Sequence, residues 1–156
     1  MPNNYECSEF LNQYLVFHYG SKIDQFPHSY SVKKYTNFPL RCVSDGPDYS
    51  SFINKDRVLD LGCSVGRSSF ELSKHFREVI GIDYSKSFIN AAKNIKDFGF
   101  HEIDIVSEGK NLRSRVFLDK TIKREKVNFE VGDAQNLRKD LGTFDLVMAC
   151  NLICRL

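Results

Sequence analysis

The stretch that decides the fold runs from Arg57 to Leu72 and reads RVLDLGCSVGRSSFEL. Its first five residues are a short apolar run, of the kind that is buried on both faces in a parallel sheet. A glycine turn between Gly62 and Gly66 follows at once, and the residues after it, as far as Phe76, repeat with the spacing of one helical face. Strand, glycine turn and helix in this order predict a ligand site where the strand meets the helix.

Short apolar strands and helices alternate through the rest of the chain. Further strands are predicted at Val79–Asp83, Val127–Val131 and Phe144–Ala149. A helix capped by Ser85 and ended by Gly99 separates the first two of them. This alternation implies right-handed crossovers, and so a doubly wound, mostly parallel, Rossmann-like α/β sheet.

Two segments fall outside the alternation. Residues 1–56 begin with an amphipathic helix over Ser8–Tyr19, after which the prolines and turn sequences of residues 21–56 break any long element. The charged segment Phe100–Lys126 predicts a small hairpin inserted on the sheet. We therefore expect an N-terminal cap over residues 1–56 that contributes to the pocket, and a Rossmann-like domain over residues 57–156.

Composition narrows the class of protein. The chain has 156 residues, 42% of them apolar, and a formal net charge of +2, which is typical of one soluble globular domain. The charges are spread along the chain, so no basic stripe favours nucleic acid as a partner. Neither a membrane span nor a secretory signal is recognisable. Nucleic acid and membrane are therefore not expected as partners.

Cysteine and histidine usage points to a metal-free cytoplasmic protein. The five cysteines are odd in number and unevenly spaced, which fits reduced thiols better than a disulfide framework. The cysteines at 150 and 154 have no neighbouring pair that would complete a zinc site. We expect no metal site and no catalytic role for the four histidines.

Polar side chains stand where the predicted strands end. Asp83 closes the second strand, 21 positions after Gly62, where a carboxylate can accept hydrogen bonds from both hydroxyls of a ribose. Asp133, beside Ala134, follows the third strand, and Asn151 follows the fourth. The alternatives are structural: a solvated carboxylate at Asp83, turn chemistry at Asp133 and a turn cap at Asn151.

The glycine spacing separates two kinds of nucleotide site. Dinucleotide-binding turns use G-x-G-x-x-G, whereas this turn has glycine only at 62 and 66 and Arg67 at the last position. DLGCSVG instead resembles the first motif of class I S-adenosylmethionine-dependent methyltransferases, and VIGIDYS, VGDAQNL and FDLVMACN follow in the order of that family. Alternatively, the two glycines serve only tight packing of helix on sheet.

A closer resemblance adds the N-terminal segment. YLVFHYG (residues 14–20), NFPLRC (37–42) and ACNLICRL (149–156) are similar to the methyltransferase of ovothiol biosynthesis. That family transfers a methyl group to a ring nitrogen of 4-mercaptohistidine, also called 5-thiohistidine. It is often fused to a sulfoxide synthase, whose H-x-x-x-H-x-E iron motif has no counterpart among the histidines of this chain. A separate or fused synthase is therefore an expected partner.

The resemblance implies roles for particular residues. S-Adenosyl-L-methionine would be the cofactor, and the amino acid would be the substrate. The residues assigned to the cofactor are Asp60, Gly62, Cys63 and Gly66 at its methionine end, Asp83 and Tyr84 at the ribose, Asp133 and Ala134 at the adenine, and Asn151 beside the transferable methyl. Tyr19, Arg41 and Arg155 are hypotheses for substrate binding, with the arginines clamping its carboxylate; packing and surface ion pairs are the alternatives.

Two alternatives to this function remain open on the sequence: a methyltransferase for another small molecule, or a non-catalytic module that binds S-adenosylmethionine. The class I fold has seven strands, whereas the motifs of this chain reach the fourth strand only a few residues before Leu156. We therefore expect a sheet truncated after its fourth strand, with Phe144–Ala149 as an exposed apolar edge.

Overall fold

The computed structural model describes residues 6–25, 36–107 and 110–152. Its helices are α1 (Ser8–Tyr19), α2 (Lys22–Gln25), α3 (Phe38–Asp45), α4 (Arg67–Leu72) and α5 (Lys86–Phe98). Its strands are β1 (Arg57–Leu61), β2 (Glu78–Asp83), β3 (Phe100–Ser107), β4 (Lys110–Phe117), β5 (Val127–Val131) and β6 (Leu146–Met148). Short 3₁₀ helices precede β5 and β6, at Arg124–Lys126 and Lys139–Leu141.

The central sheet is parallel and has the order β5-β2-β1-β6. Val58 of β1 lies opposite Val79 of β2 on one side and Leu146 of β6 on the other. Strands β2 and β6 thus flank β1 on opposite sides, which places the topological switch point of the sheet beside the end of β1. This confirms the doubly wound α/β prediction, and within the described residues β6 forms one edge of the sheet, with Val147 half exposed.

The fourth strand is shorter than predicted, because Phe144–Ala149 contributes only Leu146–Met148 to the sheet. Asp145 precedes the strand and caps the start of β1 instead, because its carboxylate accepts hydrogen bonds of 2.9 Å from the backbone amides of Asp56 and Arg57. At the other end the chain turns at Asn151, whose φ is +54°. A side-chain cap and a turn therefore shorten the strand at both ends.

The helices around the sheet follow the sequence pattern. The apolar face predicted after the glycine turn is buried, although α4 itself ends at Leu72. The Ser85 hydroxyl accepts a hydrogen bond of 3.2 Å from the amide of Phe88, and Gly99 ends α5 in a left-handed conformation. Both predicted ends of α5 are confirmed.

The cap differs from the sequence prediction in one respect. Helix α1 has the predicted bounds, but residues 21–56, predicted to be irregular, contain α2 and α3. Pro39 lies in the first turn of α3, where the missing amide hydrogen of proline costs no helical hydrogen bond. A proline interpreted as a breaker was therefore part of a helix start.

The predicted hairpin in Phe100–Lys126 is confirmed as β3 and β4, which pair antiparallel as a separate two-stranded sheet. Ile103 and Val116 on its inner face are buried. The Asn12 side chain of α1 exchanges hydrogen bonds of 2.6 and 2.7 Å with the backbone of Asp104. The hairpin is thereby attached to the cap helix as well as to the core.

Candidate active site

A cavity of about 670 Å³ lies at the carboxyl ends of the parallel strands, between the sheet and the cap. Ligand cavities commonly measure about 300 to 1,000 Å³. The sheet side of its wall comprises Asp60, Gly62, Cys63, Ser64, Ser68, Ile82, Asp83, Tyr84, Ser85, Phe88, Gly132, Asp133, Ala134, Gln135, Cys150, Asn151 and Leu152. The cap side comprises Gln13, Tyr14, Phe17, His18, Phe38, Pro39 and Cys42.

The glycine turn after β1 is held by the end of β2. The amides of Gly62 and Cys63 donate to the carbonyl of Ile82 at 2.8 and 3.1 Å, and the amide of Ser64 donates to Asp83 Oδ2 at 2.8 Å. Gly62 has a φ of +70°, which glycine adopts without strain. The turn is thus fixed by backbone hydrogen bonds, with its surface facing the cavity.

Asp83 sits at the junction of the turn and α5. Its second oxygen, Oδ1, accepts a hydrogen bond of 2.9 Å from the amide of Ser85. Burial raises the pKa of Asp83, while the hydrogen bonds from the amides oppose that rise. A carboxylate has about four lone-pair sites, so this one retains capacity to accept hydroxyl donors from a ligand.

Asp60 is the most deeply buried carboxylate of the cavity wall, with 2% of its surface exposed. Its Oδ2 accepts hydrogen bonds from the hydroxyls of Ser68 at 2.7 Å and Ser69 at 2.6 Å. Burial raises the pKa of Asp60 to about 6 despite these bonds, and the nearby Asp83 adds to the rise. An ionised Asp60 is therefore suited to receive a cationic group in the cavity.

Three predicted residues form the more open part of the wall. Asp133 and Asn151 are exposed and line the cavity, as does Tyr84, of which 68% is exposed. The Asp133 Oδ1 accepts a hydrogen bond of 2.8 Å from the amide of Gln135, so the turn chemistry named as the alternative is present alongside the cavity position. Ala134, which follows Asp133 in the sequence, lines the same wall.

Cys63 and Gly66 differ in how they relate to the cavity. Cys63 lines it and is buried, and burial raises the pKa of its thiol well above the usual value. Gly66, predicted to contact the cofactor, lies outside the cavity wall. A Cβ atom at Gly66 would stand 2.6 Å from the ring of Phe129. For Gly66 the structure supports the packing alternative, because helix and sheet approach too closely for a side chain.

Two of the predicted substrate residues are also placed away from the cavity wall. The Tyr19 hydroxyl donates a hydrogen bond of 2.7 Å to the carbonyl of Val65, and this partly buried bond links α1 to the glycine turn. Arg41 lies on the outer face of α3, with its Nε 3.3 Å from the Asp45 carboxylate. Neither side chain lines the cavity in this conformation. Arg155 lies outside the described residues.

Most of the cap wall was not predicted from the sequence. Within the HYG sequence the predicted residue is Tyr19, but the neighbouring His18 lines the cavity. Within NFPLRC the predicted residue is Arg41, but Phe38, Pro39 and Cys42 line the cavity. Spacing within α3 does not separate these positions, because residues three and four apart share a face, and Arg41 is three residues from Phe38 just as Cys42 is four.

Comparison with known proteins identifies the domain. A family model described as a methyltransferase domain matches residues 54–155, well over half of the chain. The chain belongs to this methyltransferase family. A relative is the probable S-adenosylmethionine-dependent methyltransferase CRG1 of Saccharomyces cerevisiae, 33% identical over 57 residues, which are 36% of this chain and 19% of that protein.

Two solved structures illustrate the similarity. The TehB-like SAM-dependent methyltransferase from Corynebacterium glutamicum matches 76% of this chain and 48% of its own, with 22% identity and a TM-score of 0.46. The PH0226 protein from Pyrococcus horikoshii matches 80% of this chain and 48% of its own, with 27% identity and a TM-score of 0.47. The chain thus spans less than half the length of each of these relatives.

The cavity of this methyltransferase domain fits S-adenosylmethionine, the cofactor of the domain. Its wall combines a buried carboxylate, Asp60, with a strand-end carboxylate, Asp83. The buried Ser64 hydroxyl oxygen, in the turn between them, has no hydrogen-bond partner among the described residues. An unsatisfied polar atom in a cavity wall is the feature that a polar ligand would complete.

The described residues were also searched for membrane-spanning helices, metal-binding clusters and disulfides. None of the helices within residues 6–25, 36–107 and 110–152 has the length and hydropathy that a membrane-spanning helix requires. The same residues contain no cluster of three or more histidine, cysteine or acidic side chains arranged to hold a metal ion. The described cysteines at positions 7, 42, 63 and 150 are free thiols.

Proposed function

We propose that this methyltransferase domain transfers a methyl group from S-adenosylmethionine to a ring nitrogen of 4-mercaptohistidine, as in ovothiol biosynthesis. One observation carries the proposal. The two N-terminal sequence elements that resemble the ovothiol family, YLVFHYG and NFPLRC, supply most of the cap wall of the cavity. An acceptor held opposite the strand ends would therefore contact the residues that distinguish this family from other methyltransferases.

The sheet wall offers partners for each part of the cofactor. In the proposal Asp60 receives the ammonium group of the methionine moiety, with Gly62 and Cys63 alongside. Asp83 accepts hydrogen bonds from the ribose hydroxyls, and the exposed ring of Tyr84 packs against the adenosine. Asp133 and Ala134 lie at the adenine, where the free capacity of the Asp133 carboxylate accepts a hydrogen bond from the exocyclic amine.

The chemistry asks chiefly for positioning. Bound S-adenosylmethionine supplies a sulfonium methyl group that is already activated for displacement. A lone pair on the acceptor nitrogen forms the new N–C bond as the C–S bond breaks, and the positive charge passes from sulfur to the ring. The protein therefore needs to align the acceptor, a contribution that can account for about 7–11 kcal/mol of a barrier. Asn151, which lines the same cavity, is assigned to that alignment.

The cap wall favours a flat and uncharged portion of the acceptor. Its side chains are Gln13, Tyr14, Phe17, His18, Phe38, Pro39 and Cys42, and no lysine or arginine from the described residues joins them on the wall. An imidazole ring would pack against the aromatic members of this group. Arg155 remains the proposed clamp for the α-carboxylate, in place of Arg41.

The proposal also gives the domain a partner and a compartment. The thiol-bearing histidine must come from an enzyme that forms a carbon–sulfur bond, which we assign to a sulfoxide synthase, separate or fused. The free thiols of the described cysteines fit the cytoplasm, where thiols stay reduced.

A product assay tests the proposal. The chain is incubated with S-adenosylmethionine and either 4-mercaptohistidine or a panel of small metabolites, and the products are analysed by mass spectrometry. We expect one added methyl group on a ring nitrogen of 4-mercaptohistidine. Methylation of another metabolite instead would replace the acceptor and keep the reaction class. Stabilisation by S-adenosylmethionine without transfer to any candidate would indicate a non-catalytic module.

A further inference from the structure

Among the residues that the structure describes, the ionisable side chains of the cap wall are the imidazole of His18, the thiol of Cys42 and the phenol of Tyr14. His18 extends from the last turn of α1, and the proposed cofactor contacts give it no role. Its Nδ1 atom is buried and has no hydrogen-bond partner among the described residues. A buried nitrogen left unsatisfied is costly to the folded protein.

The ring of His18 is held in place by its neighbours. The Tyr14 and Phe17 rings lie 5.9 and 5.5 Å from it, centroid to centroid, and the Phe17 ring meets it edge to face. Tyr14 in turn contacts Phe88 of α5 at 4.6 Å, which ties this side of the cap to the sheet domain. The imidazole is thus oriented by packing, while its own hydrogen-bonding capacity is unused.

The surroundings also keep this imidazole neutral. Burial lowers the pKa of His18 to about 3, and the positive charge of Arg67 contributes to the decrease. A neutral imidazole has one nitrogen that donates and one that accepts a hydrogen bond. It can therefore recognise a ring N–H without adding a positive charge beside a cationic methyl donor.

We propose that His18 binds the methyl acceptor, with its Nδ1 accepting a hydrogen bond from a ring N–H of a heteroaromatic substrate. This role deepens the proposed function and rests on it. In an imidazole with one protonated nitrogen, the hydrogen bond to His18 holds the proton on that nitrogen. The other nitrogen then keeps its lone pair for the methyl group. His18 acts as a substrate-binding residue that selects the reactive tautomer and leaves the ring N–H in place.

Nuclear magnetic resonance tests the contact directly. Long-range ¹H–¹⁵N correlation spectra of the histidine rings are recorded on the chain saturated with S-adenosylhomocysteine, before and after adding 4-mercaptohistidine. We expect the Nδ1 resonance of His18 to shift. The resonance of His75 should stay unchanged, because this ring is stacked on Tyr49, with 3.8 Å between the ring centroids, and does not line the cavity. An unchanged His18 resonance, while calorimetry shows that the acceptor binds, would overturn the proposal.

Variants separate this role from a structural one. His18→Phe keeps a flat ring without nitrogen atoms, and His18→Asn restores an amide near the position of Nδ1. We expect the first to raise the KM for the acceptor about tenfold and the second to recover part of that loss. Both variants should bind S-adenosylhomocysteine as the wild type does, as should the control His75→Phe. Equal acceptor KM in wild type and His18→Phe would refute the assignment.

A binding probe distinguishes failure of this inference from failure of the proposed acceptor. If 4-mercaptohistidine gives no heat with the wild-type chain, the proposed acceptor is wrong, and imidazole itself replaces it in the calorimeter. Weaker imidazole binding by His18→Phe than by wild type would still support the role of His18. Equal imidazole binding by both proteins, or binding by neither, would reject it.

Discussion

The carboxylate of Asp83 accepts a hydrogen bond of 2.8 Å from the backbone amide of Ser64, so the end of β2 fixes the turn that follows β1. The same carboxylate accepts from the amide of Ser85 at the start of α5. The Asp83 side chain therefore holds both the glycine turn and the start of α5 in place at the cavity. The proposed ribose contact would use a group whose position is already set before any ligand binds.

Asp60 predicts a particular pH dependence of stability. Its pKa is about 6 in the folded chain, against a usual value of 3.8. The folded state therefore binds the proton more tightly than the unfolded state between these values. The free energy of unfolding should fall as the pH rises from about 4 to about 6, by on the order of 3 kcal/mol from this residue, and then level off.

The variant Asp60→Asn isolates that effect. The amide keeps an oxygen for the hydroxyls of Ser68 and Ser69 but does not titrate, so urea unfolding should show a smaller fall over the same pH range. At neutral pH the variant should be more stable than the wild type and should bind S-adenosylmethionine more weakly. The exposed Asp140→Asn serves as control. Parallel pH profiles for wild type and Asp60→Asn would contradict the assignment.

Gly66 is expected to tolerate no side chain. A Cβ atom there would meet the Phe129 ring at 2.6 Å, and the φ of +84° is unfavourable for other residues. Gly66→Ala should lower the free energy of unfolding by about 2–4 kcal/mol, as backbone strain and overpacking add. Gly99→Ala is the matched control, since its φ is +79° but its nearest contact is the flexible Arg124 side chain at 3.3 Å. Equal losses in the two variants would argue against a packing role.

Tyr19 should act on stability and leave the acceptor unaffected. Tyr19→Phe removes the hydroxyl that donates to the Val65 carbonyl, at a cost of about 1 kcal/mol in chemical unfolding. The KM for the acceptor should not change, because the hydroxyl is engaged away from the cavity wall. A raised KM at unchanged stability would restore the substrate role suggested by the sequence.

Arg41 is expected to be dispensable for substrate binding. Its guanidinium pairs with Asp45 on the exposed face of α3, and such surface pairs contribute little to stability. Arg41→Ala should leave the KM for 4-mercaptohistidine unchanged. A markedly raised KM in steady-state assays would show that the side chain reorients toward the substrate, and the clamp would return to Arg41.

The sequence predicted the parallel core well because its pattern is local. The apolar run before Gly62 and the caps of α5 at Ser85 and Gly99 each depend on neighbouring residues, and all were confirmed. Helix α3 was missed because Pro39 was interpreted as a breaker, although a first-turn proline is compatible with a helix.

The site was less predictable than the fold. Strand-end residues such as Asp83 fall in the cavity because parallel strands end at one edge. The cap wall depends instead on how α1 and α3 pack against the sheet over long sequence separations. Motif position therefore selected Tyr19 and Arg41, whereas packing brought His18 and Cys42 to the cavity.

The dissociation constant of S-adenosylmethionine for the wild-type chain and for Asp83→Asn, measured by calorimetry, tests the central claim most directly. We predict that the wild type binds one equivalent and that Asp83→Asn binds at least about tenfold more weakly, since bonds to a charged acceptor are lost. The control Asp140→Asn should match the wild type. Absence of binding by the wild type, or an unchanged constant for Asp83→Asn, would contradict this account of the site.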